Sequence, residues 1–196
     1  MPMIRETIVT TAGADRRVHI APLGIIADGA GWIIAPFSPS TTLGNLRAVP
    51  FAVANHIDDV RVFAGCLTGR HDWPTASSEQ VPVPRLSGAL AHEELAVTGV
   101  TEDAQRPRFH CRVVHRASHA PFAGFNRAQA AVIEAAILVS RLHLLPRDRI
   151  EREMAALEIV VDKTAGAAER EAWSWLADKV RGYYVGCGRP GESRDP

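Results

Sequence analysis

The chain has 196 residues, 46% of them apolar and 22% charged, with 22 Lys and Arg against 22 Asp and Glu for a formal net charge of zero. That length and apolar content suffice for one large domain or for a core with an appended subdomain. Balanced charge without a basic or acidic run excludes the electrostatic footprint of a dedicated nucleic-acid binder and of a membrane-surface segment, so neither nucleic acid nor a membrane is expected as a partner.

The N-terminal stretch has no apolar signal-like core, and no window approaches ~20 uninterrupted apolar residues, which predicts a soluble, cytoplasmic protein. Cys66, Cys111 and Cys187 are odd in number and widely spaced, so they imply neither a disulfide framework nor a zinc-ligand pattern. Ile4 to Thr11 and Val18 to Ile26 are β-branched runs flanking Gly13-Ala14-Asp15-Arg16-Arg17, a hairpin signal. In the second run both alternating sets are largely apolar, the pattern of a strand covered on two faces, as in a closed or half-closed barrel. Asp28-Gly29-Ala30-Gly31 turns the chain into a third strand, Trp32 to Ala35.

That strand delivers the chain into Pro36-Phe37-Ser38-Pro39-Ser40-Thr41-Thr42-Leu43-Gly44-Asn45-Leu46, a hydroxyl-rich loop opening a short helix from Leu43 to Ala48. Two readings fit the loop. Its hydroxyls and the backbone N–H groups of the helix start can donate to a phosphate, or they can cap the helix and close turns with no ligand.

Phe51 to Ile57 reads as a fourth strand, and Asp58-Asp59 can cap a helix from Val60 to about Leu67. Arg70 to Leu86 carries Pro74, Pro82 and Pro84 and predicts an irregular excursion. Glu93 to Thr101 and Arg108 to Ala117 form a second hairpin. After Phe122 the period changes to 3.6. Asn126 is an N-cap with Gln129 at N3, and Ala130, Ile133, Ile137, Ser140 and Leu144 make one apolar stripe ended by Pro146. Ile150, Met154, Leu157 and Val161 make a second, and Trp173, Leu176, Val180 and Tyr183 a third. The fold class is therefore α+β, a small antiparallel barrel over 1–122 with a C-terminal helical subdomain over 123–185, and 186–196 is a polar tail expected to be disordered.

Four motifs carry a family likeness: Glu6-Thr7-Ile8-Val9-Thr10-Thr11, Ala21-Pro22-Leu23-Gly24, Ser40-x-Thr42-x-x-Asn45-Leu46, and Phe125-Asn126-Arg127-Ala128 running through Val132-Ile133-Glu134-Ala135 to Ser140-Arg141-Leu142. In this order they resemble the DUF447 family, which is similar to the flavin-reductase-like, FMN-binding split barrels. The resemblance implies an antiparallel split β-barrel, FMN as cofactor, and a homodimer with flavin at the interface. It implies flavin and not a particular reaction; the reading built on it is a flavoprotein, an oxidoreductase passing hydride or electrons from a reduced nicotinamide or similar donor to a small acceptor. A non-catalytic carrier or sensor, or an accessory of tetrahydromethanopterin-linked one-carbon metabolism, is the alternative.

Carried onto this chain, the likeness implies cofactor contacts from Ala21, Pro22, Leu23 and Gly24 beside the ring, and from Ser38, Ser40, Thr41, Thr42, Asn45 and Leu46 around the phosphate. Asn55, Asn126, Arg127 and Arg141 complete the set. The family position between the loop serine and threonine is often basic and here is Thr41, which leaves Arg47, Arg127 and Arg141 as candidate counter-charges. On the third-from-last helix Arg127, Glu134 and Arg141 recur every seven residues on one face, either as a solvated stripe or as an interface network. His110, Cys111, His115 and His119 look ligand-rich, but along one strand the span from Cys111 to His119 is about 26 Å, so no metal is expected from them. His19 and His56 are candidates to face a flavin or to be satisfied in the barrel wall. There is no GxGxxG, P-loop or GxSxG motif.

Overall fold

The computed structural model describes residues 2–187. Six long strands, β1 (Ile4–Ala12), β2 (Val18–Asp28), β3 (Gly31–Ile34), β4 (Phe51–His56), β7 (Ala91–Thr101) and β8 (Arg108–Ser118), close into an antiparallel barrel in the order β1-β2-β3-β8-β7-β4. This is the split-barrel arrangement that the sequence predicts. The excursion between β4 and β7 is irregular except for two-residue strands β5 (Thr75–Ala76) and β6 (Arg85–Leu86), which pair with each other. Contacts divide the chain into two compact units: 1–58 with 71–123, and 59–70 with the helical residues from 124.

Inside the barrel Val9, Ile25, Trp32, Ile34, Ala52, Ala54, Leu95, Phe109 and Cys111 form one core, to which α1 (Thr41–Ala48) adds Leu43 and Leu46. On the opposite face of the sheet Ala12 and Val53 pack against Val81 and Val83 of the excursion. β1 and β4 are thus buried on both faces. β2, whose two apolar sets predict the same, is only half-buried over Ala21–Gly24. The reason lies in the pairing. β2 lies beside β1 from Val18 to Ile26, but β3 reaches it only at Ile26, Ala27 and Asp28. Among the described residues no strand pairs with the other edge of Val18–Ile25, and Pro22, which has no N–H to offer a neighbour, sits within it.

Two glycines are fixed by geometry. Gly29 holds φ +58° in the β2–β3 turn, and a Cβ at Gly31 would lie 2.2 Å from the Cys111 carbonyl oxygen on β8.

The second unit contains α2 (Arg61–Leu67), α3 (Arg127–Ser140), α4 (Arg147–Thr164) and α5 (Ala167–Cys187). Asp59 accepts the Arg61 N–H at 3.0 Å from one residue before the N-cap of α2, which is Val60 and makes no side-chain cap bond. Asn126 caps α3 by accepting from Ala128 N at 2.8 Å, whereas Gln129 reaches Glu169 at 3.4 Å and does not close a capping box. The predicted α3 stripe is corrected. Ala130, Ser140 and Leu144 are exposed and Ile133 and Ile137 half-buried, while Ala128, Ala131, Val132, Ala135, Leu138, Val139 and Leu142 join Val60, Ala64, Ile150, Met154, Trp173 and Leu176 in the core. Small alanines win that face because they let neighbouring helices approach closely. The predicted tail lies outside the described residues, except 186 and 187 at the end of α5.

Candidate functional site

The structure separates the predicted phosphate loop into two layers. Ser38, Ser40 and Thr41 are exposed, whereas Thr42, Asn45 and Leu46 are buried. Ser40 is the N-cap of α1, its Oγ accepting from Leu43 N at 3.2 Å. Capping uses the oxygen as acceptor and leaves the hydroxyl proton available to a ligand. Asn45 donates through Nδ2 to Thr11 Oγ1 at 3.0 Å, tying α1 to β1.

A cation stands at the base of this loop that sequence reasoning missed. Arg106, in the β7–β8 turn, donates from Nε (3.2 Å) and Nη2 (3.0 Å) to the Ala35 carbonyl, and its guanidinium lies 4.4 Å over the Phe37 ring. Ser38 N donates to Gln105 O at 2.8 Å, and Asp103 Oδ1 takes the Gln105 and Arg106 amides, so turn and loop are pinned together. The bond to Ala35 uses one side of a guanidinium with five donors. Of the cations named from sequence, Arg47 is ion-paired with Glu102 at 2.8 Å in an exposed position. Arg127 and Arg141 are exposed residues at the two ends of α3, in the helical unit, as is Asn126, which also donates to Thr164 O at 3.2 Å.

Ala21, Pro22, Leu23 and Gly24 lie opposite Val9, Ile8, Thr7 and Glu6 of β1, with their other edge unpaired by any described strand. Gly24 keeps this edge low. A Cβ there would come within 2.8 Å of Ile4 Cγ2 and 3.0 Å of Glu6 Oε1. Asn55 lies on β4, away from the loop. It is fully buried, with Nδ2 donating to Ile8 O at 3.0 Å and Val53 O at 3.2 Å, and with Oδ1 accepting from Leu86 N at 2.7 Å.

A second concentration of polar groups lies where β4, β7 and β8 adjoin. A cavity of about 230 Å³ is lined by His56, Ala91, Glu93, Arg116 and Ser118 among others. Burial would raise the Glu93 carboxyl, but His56, Arg116 and Trp32 together hold it down to about 2. Arg116 Nε donates to Oε1 at 2.6 Å and Trp32 Nε1 donates to Oε2, while His56 Nε2 stands 3.6 Å from Oε2. His19 is half-buried, which with nearby His71 lowers its basicity.

The ligand-rich run on β8 is dispersed. His110 bonds Asp28 at 2.8 Å and Thr101 at 3.1 Å, and Cys111 faces the barrel core, where burial pushes its thiol up to about 12. His115 and His119 lie instead beside His92.

The chain belongs to the DUF447 family. The family model for the protein of unknown function (DUF447) N-terminal domain matches residues 5–120, and that for the protein of unknown function (DUF447) matches residues 126–178. No curated protein matches the chain. Among solved structures, the FMN-bound DUF447 protein MM1853 of Methanosarcina mazei is 19% identical, with a TM-score of 0.81 over 91% of this chain and 96% of that one. An FMN-binding protein of Thermus thermophilus with bound p-hydroxybenzaldehyde is 20% identical, with a TM-score of 0.52 over 64% and 77%. The 2-nitrobenzoate 2-nitroreductase NbaA of Pseudomonas fluorescens is 18% identical, with a TM-score of 0.51 over 61% and 66%. At these identities the likeness establishes the fold.

Proposed function

We propose that this chain is an FMN-binding flavoprotein of the oxidoreductase class. The observation that carries the reading is an exposed hydroxyl cluster at a helix start with Arg106 at its base, in a chain that overlays along nearly its whole length on an FMN-bound protein. The residues fit a phosphomonoester. Ser38, Ser40 and Thr41 offer hydroxyl donors, the first turn of α1 offers amides, and Arg106 supplies positive charge that Thr41 does not. Thr42, Asn45 and Leu46 hold α1 in place behind them. The free edge of β2 over Ala21–Gly24 fits the ring, because an unpaired strand edge presents backbone N–H and C=O groups to a planar polar rim.

When bound, FMN supplies a two-electron redox centre, a reduced nicotinamide or similar donor being the hydride source and a small acceptor taking the electrons with a proton. The protein binds and orients. The Glu93 cavity favours an enzyme over a carrier or sensor, since Arg116 and His56 converge on a space sized for a small acceptor. A half-exposed β2 edge needs cover, so we further assign a homodimer. In that reading the barrel, 1–122, carries the cofactor. The helical subdomain, 123–185, contributes the α3 face of Arg127, Glu134 and Arg141, with Asn126 at its start, to the contact.

The tests are direct. Purified protein is yellow, heat releases FMN and not FAD, and anaerobic NADH or NADPH bleaches the bound flavin. A colourless protein that fails to take up added FMN refutes the cofactor, and bound flavin that no nicotinamide reduces favours the carrier. Light scattering across the dissociation range, with and without FMN, reports a dimer that the cofactor strengthens. A monomer binding FMN stoichiometrically at every concentration refutes the shared site.

A further inference from the structure

On the face of β7 opposite the barrel core, His92 and Glu94 flank the core-side Glu93, and both are buried. β8 brings His115 opposite Glu94 in the strand register. One ligand atom from each of His92, Glu94 and His115 lies within 4.8 Å of the others. We propose that His92, Glu94 and His115 bind one divalent transition-metal ion, which clamps the segment Glu79–Val81 onto the outer face of the barrel.

Four observations carry this. First, the bite is right. With metal–nitrogen and metal–oxygen bonds of about 2.0–2.2 Å, tetrahedral ligand atoms stand about 3.2–3.5 Å apart. His92 Nε2 and Glu94 Oε1 are 3.2 Å apart, and His115 needs only a rotation of a partly exposed ring to join them.

Second, His115 Nε2 is buried and has no hydrogen-bond partner. The nearest carboxylate oxygen, Glu79 Oε1, is 3.9 Å away and exposed, placed to complete the coordination in concert with water. A buried ring nitrogen without a partner is costly unless something binds it.

Third, the carboxylate is held from behind. Glu94 Oε1 accepts from Glu79 N at 2.7 Å, and Oε2 accepts from Gln80 N at 2.6 Å and Val81 N at 2.9 Å. These bonds orient the group, the outer-shell arrangement typical of metal carboxylates, and the remaining lone pair of Oε1 faces His92 Nε2, a contact that the ion would replace.

Fourth, His92 Nδ1 lies 2.9 Å from His119 Nε2. With Nε2 on a metal, His92 donates its Nδ1–H to His119, which fixes tautomer and ring plane. Glu94 and Glu79 together carry two negative charges, matching a divalent cation. Two imidazoles and one carboxylate select zinc, cobalt or iron(II) over calcium or magnesium.

The proposal is independent of the flavin reading, and its test does not use flavin. Tag-free protein is stripped with a chelator and titrated with zinc against a chromophoric competitor, and separately with cobalt(II). One equivalent of zinc binds, cobalt gives the visible spectrum of a low-coordinate site, and zinc at a hundredfold excess over Kd raises the unfolding midpoint by about 5–10 °C. His115→Gln lowers zinc affinity at least a hundredfold yet leaves the midpoint of the chelated protein unchanged. His143→Gln, at an exposed histidine in the helical unit, changes neither. Absence of stoichiometric binding overturns the proposal, as does a His115→Gln protein that binds zinc as tightly as the parent.

Discussion

Asn55→Ala distinguishes a residue that holds the fold from one that holds a ligand. The side chain is fully buried and binds β1, through the Ile8 carbonyl at 3.0 Å, its own strand at Val53, and the excursion, through Leu86 N at 2.7 Å. Truncation removes two hydrogen bonds of about 1 kcal/mol each and leaves the Leu86 N–H buried without an acceptor, a further ~1–3 kcal/mol. The expected loss is therefore about 3–5 kcal/mol, or roughly 10 °C in midpoint for a chain of this size. The same cut frees the strap that Leu86 anchors, so limited proteolysis should begin between residues 75 and 90 while the helical unit stays intact. Asn55→Asp keeps the acceptor for Leu86 but turns a carboxylate towards two backbone carbonyls, and should be no more stable than the alanine variant. Urea denaturation followed by circular dichroism, without added flavin, gives the number. A folded alanine variant within 1 kcal/mol of the parent that has lost only FMN binding would refute this account and restore Asn55 to the cofactor.

Glu93→Gln should flatten the acid limb of stability. Its folded value is about 2 against 4.5 ordinarily, so its contribution is complete above pH 4.5 and is lost as pH falls towards 2. The ceiling is about 3 kcal/mol, discounted to about 2 because Arg116 is largely exposed. Urea midpoints at pH 3 and 5.5 in chelated protein should differ less in the variant, and an unchanged slope contradicts the carboxylate's role. Arg106→Gln should weaken FMN binding at least tenfold, and Arg47→Gln little, by fluorescence titration; equal effects would move the counter-charge away from Arg106. Gly31→Ala forces a Cβ to 2.2 Å from the Cys111 carbonyl and should cost over 2 kcal/mol by breaking the β3–β8 pairing. A thermal melt matching the parent would show that the backbone accommodates the methyl group without losing the pairing.

The strands were legible because their signals are local. Gly13–Arg17, Asp28–Gly31 and Glu102–Pro107 punctuate runs whose residues favour β-structure, and each of the six barrel strands begins and ends within about two residues of its prediction, whereas the two-residue β5 and β6 were not predicted. The α3 stripe was not legible, because Ala128, Ala131 and Ala135 offer little hydrophobic contrast with Ala130, and the partner helices decide which face is buried. The cross-strand surroundings of the histidines were not legible for another reason. Distance along β8 separates His115 from Cys111 and His119, but the pairing that matters is across strands, where neighbours stand about 4.5–5.5 Å apart. β7 and β8 carry register shifts at Glu94/Leu95 and Val97/Gly99, so the partner of His115 cannot be counted out from the hairpin turn.

The polar residues show why a motif identifies a neighbourhood better than it identifies ligands. Thr7, Thr10 and Asn45 come from motifs that carry the family likeness, Asn55 comes from β4 beside β1, and all four are buried. Each is already committed. Thr7 donates to Asn55 O at 2.5 Å, Thr10 to Pro84 O at 2.6 Å, and Asn45 to Thr11 at 3.0 Å. A barrel whose outer face is covered by an irregular strap must satisfy the strap's backbone groups from the sheet below, and short polar side chains do this without disturbing the strand. A buried donor already engaged inside the protein can reach a phosphate only by breaking that bond, at a cost comparable to the bond it would form. In the proposed site the groups that meet the anion are therefore those whose protons still face solvent: Ser38, Ser40, Thr41 and the unshared donors of Arg106. The first three are among the contacts expected from the sequence. The fourth sits in a hairpin turn some seventy residues away, and only the closure of the barrel brings it to the loop.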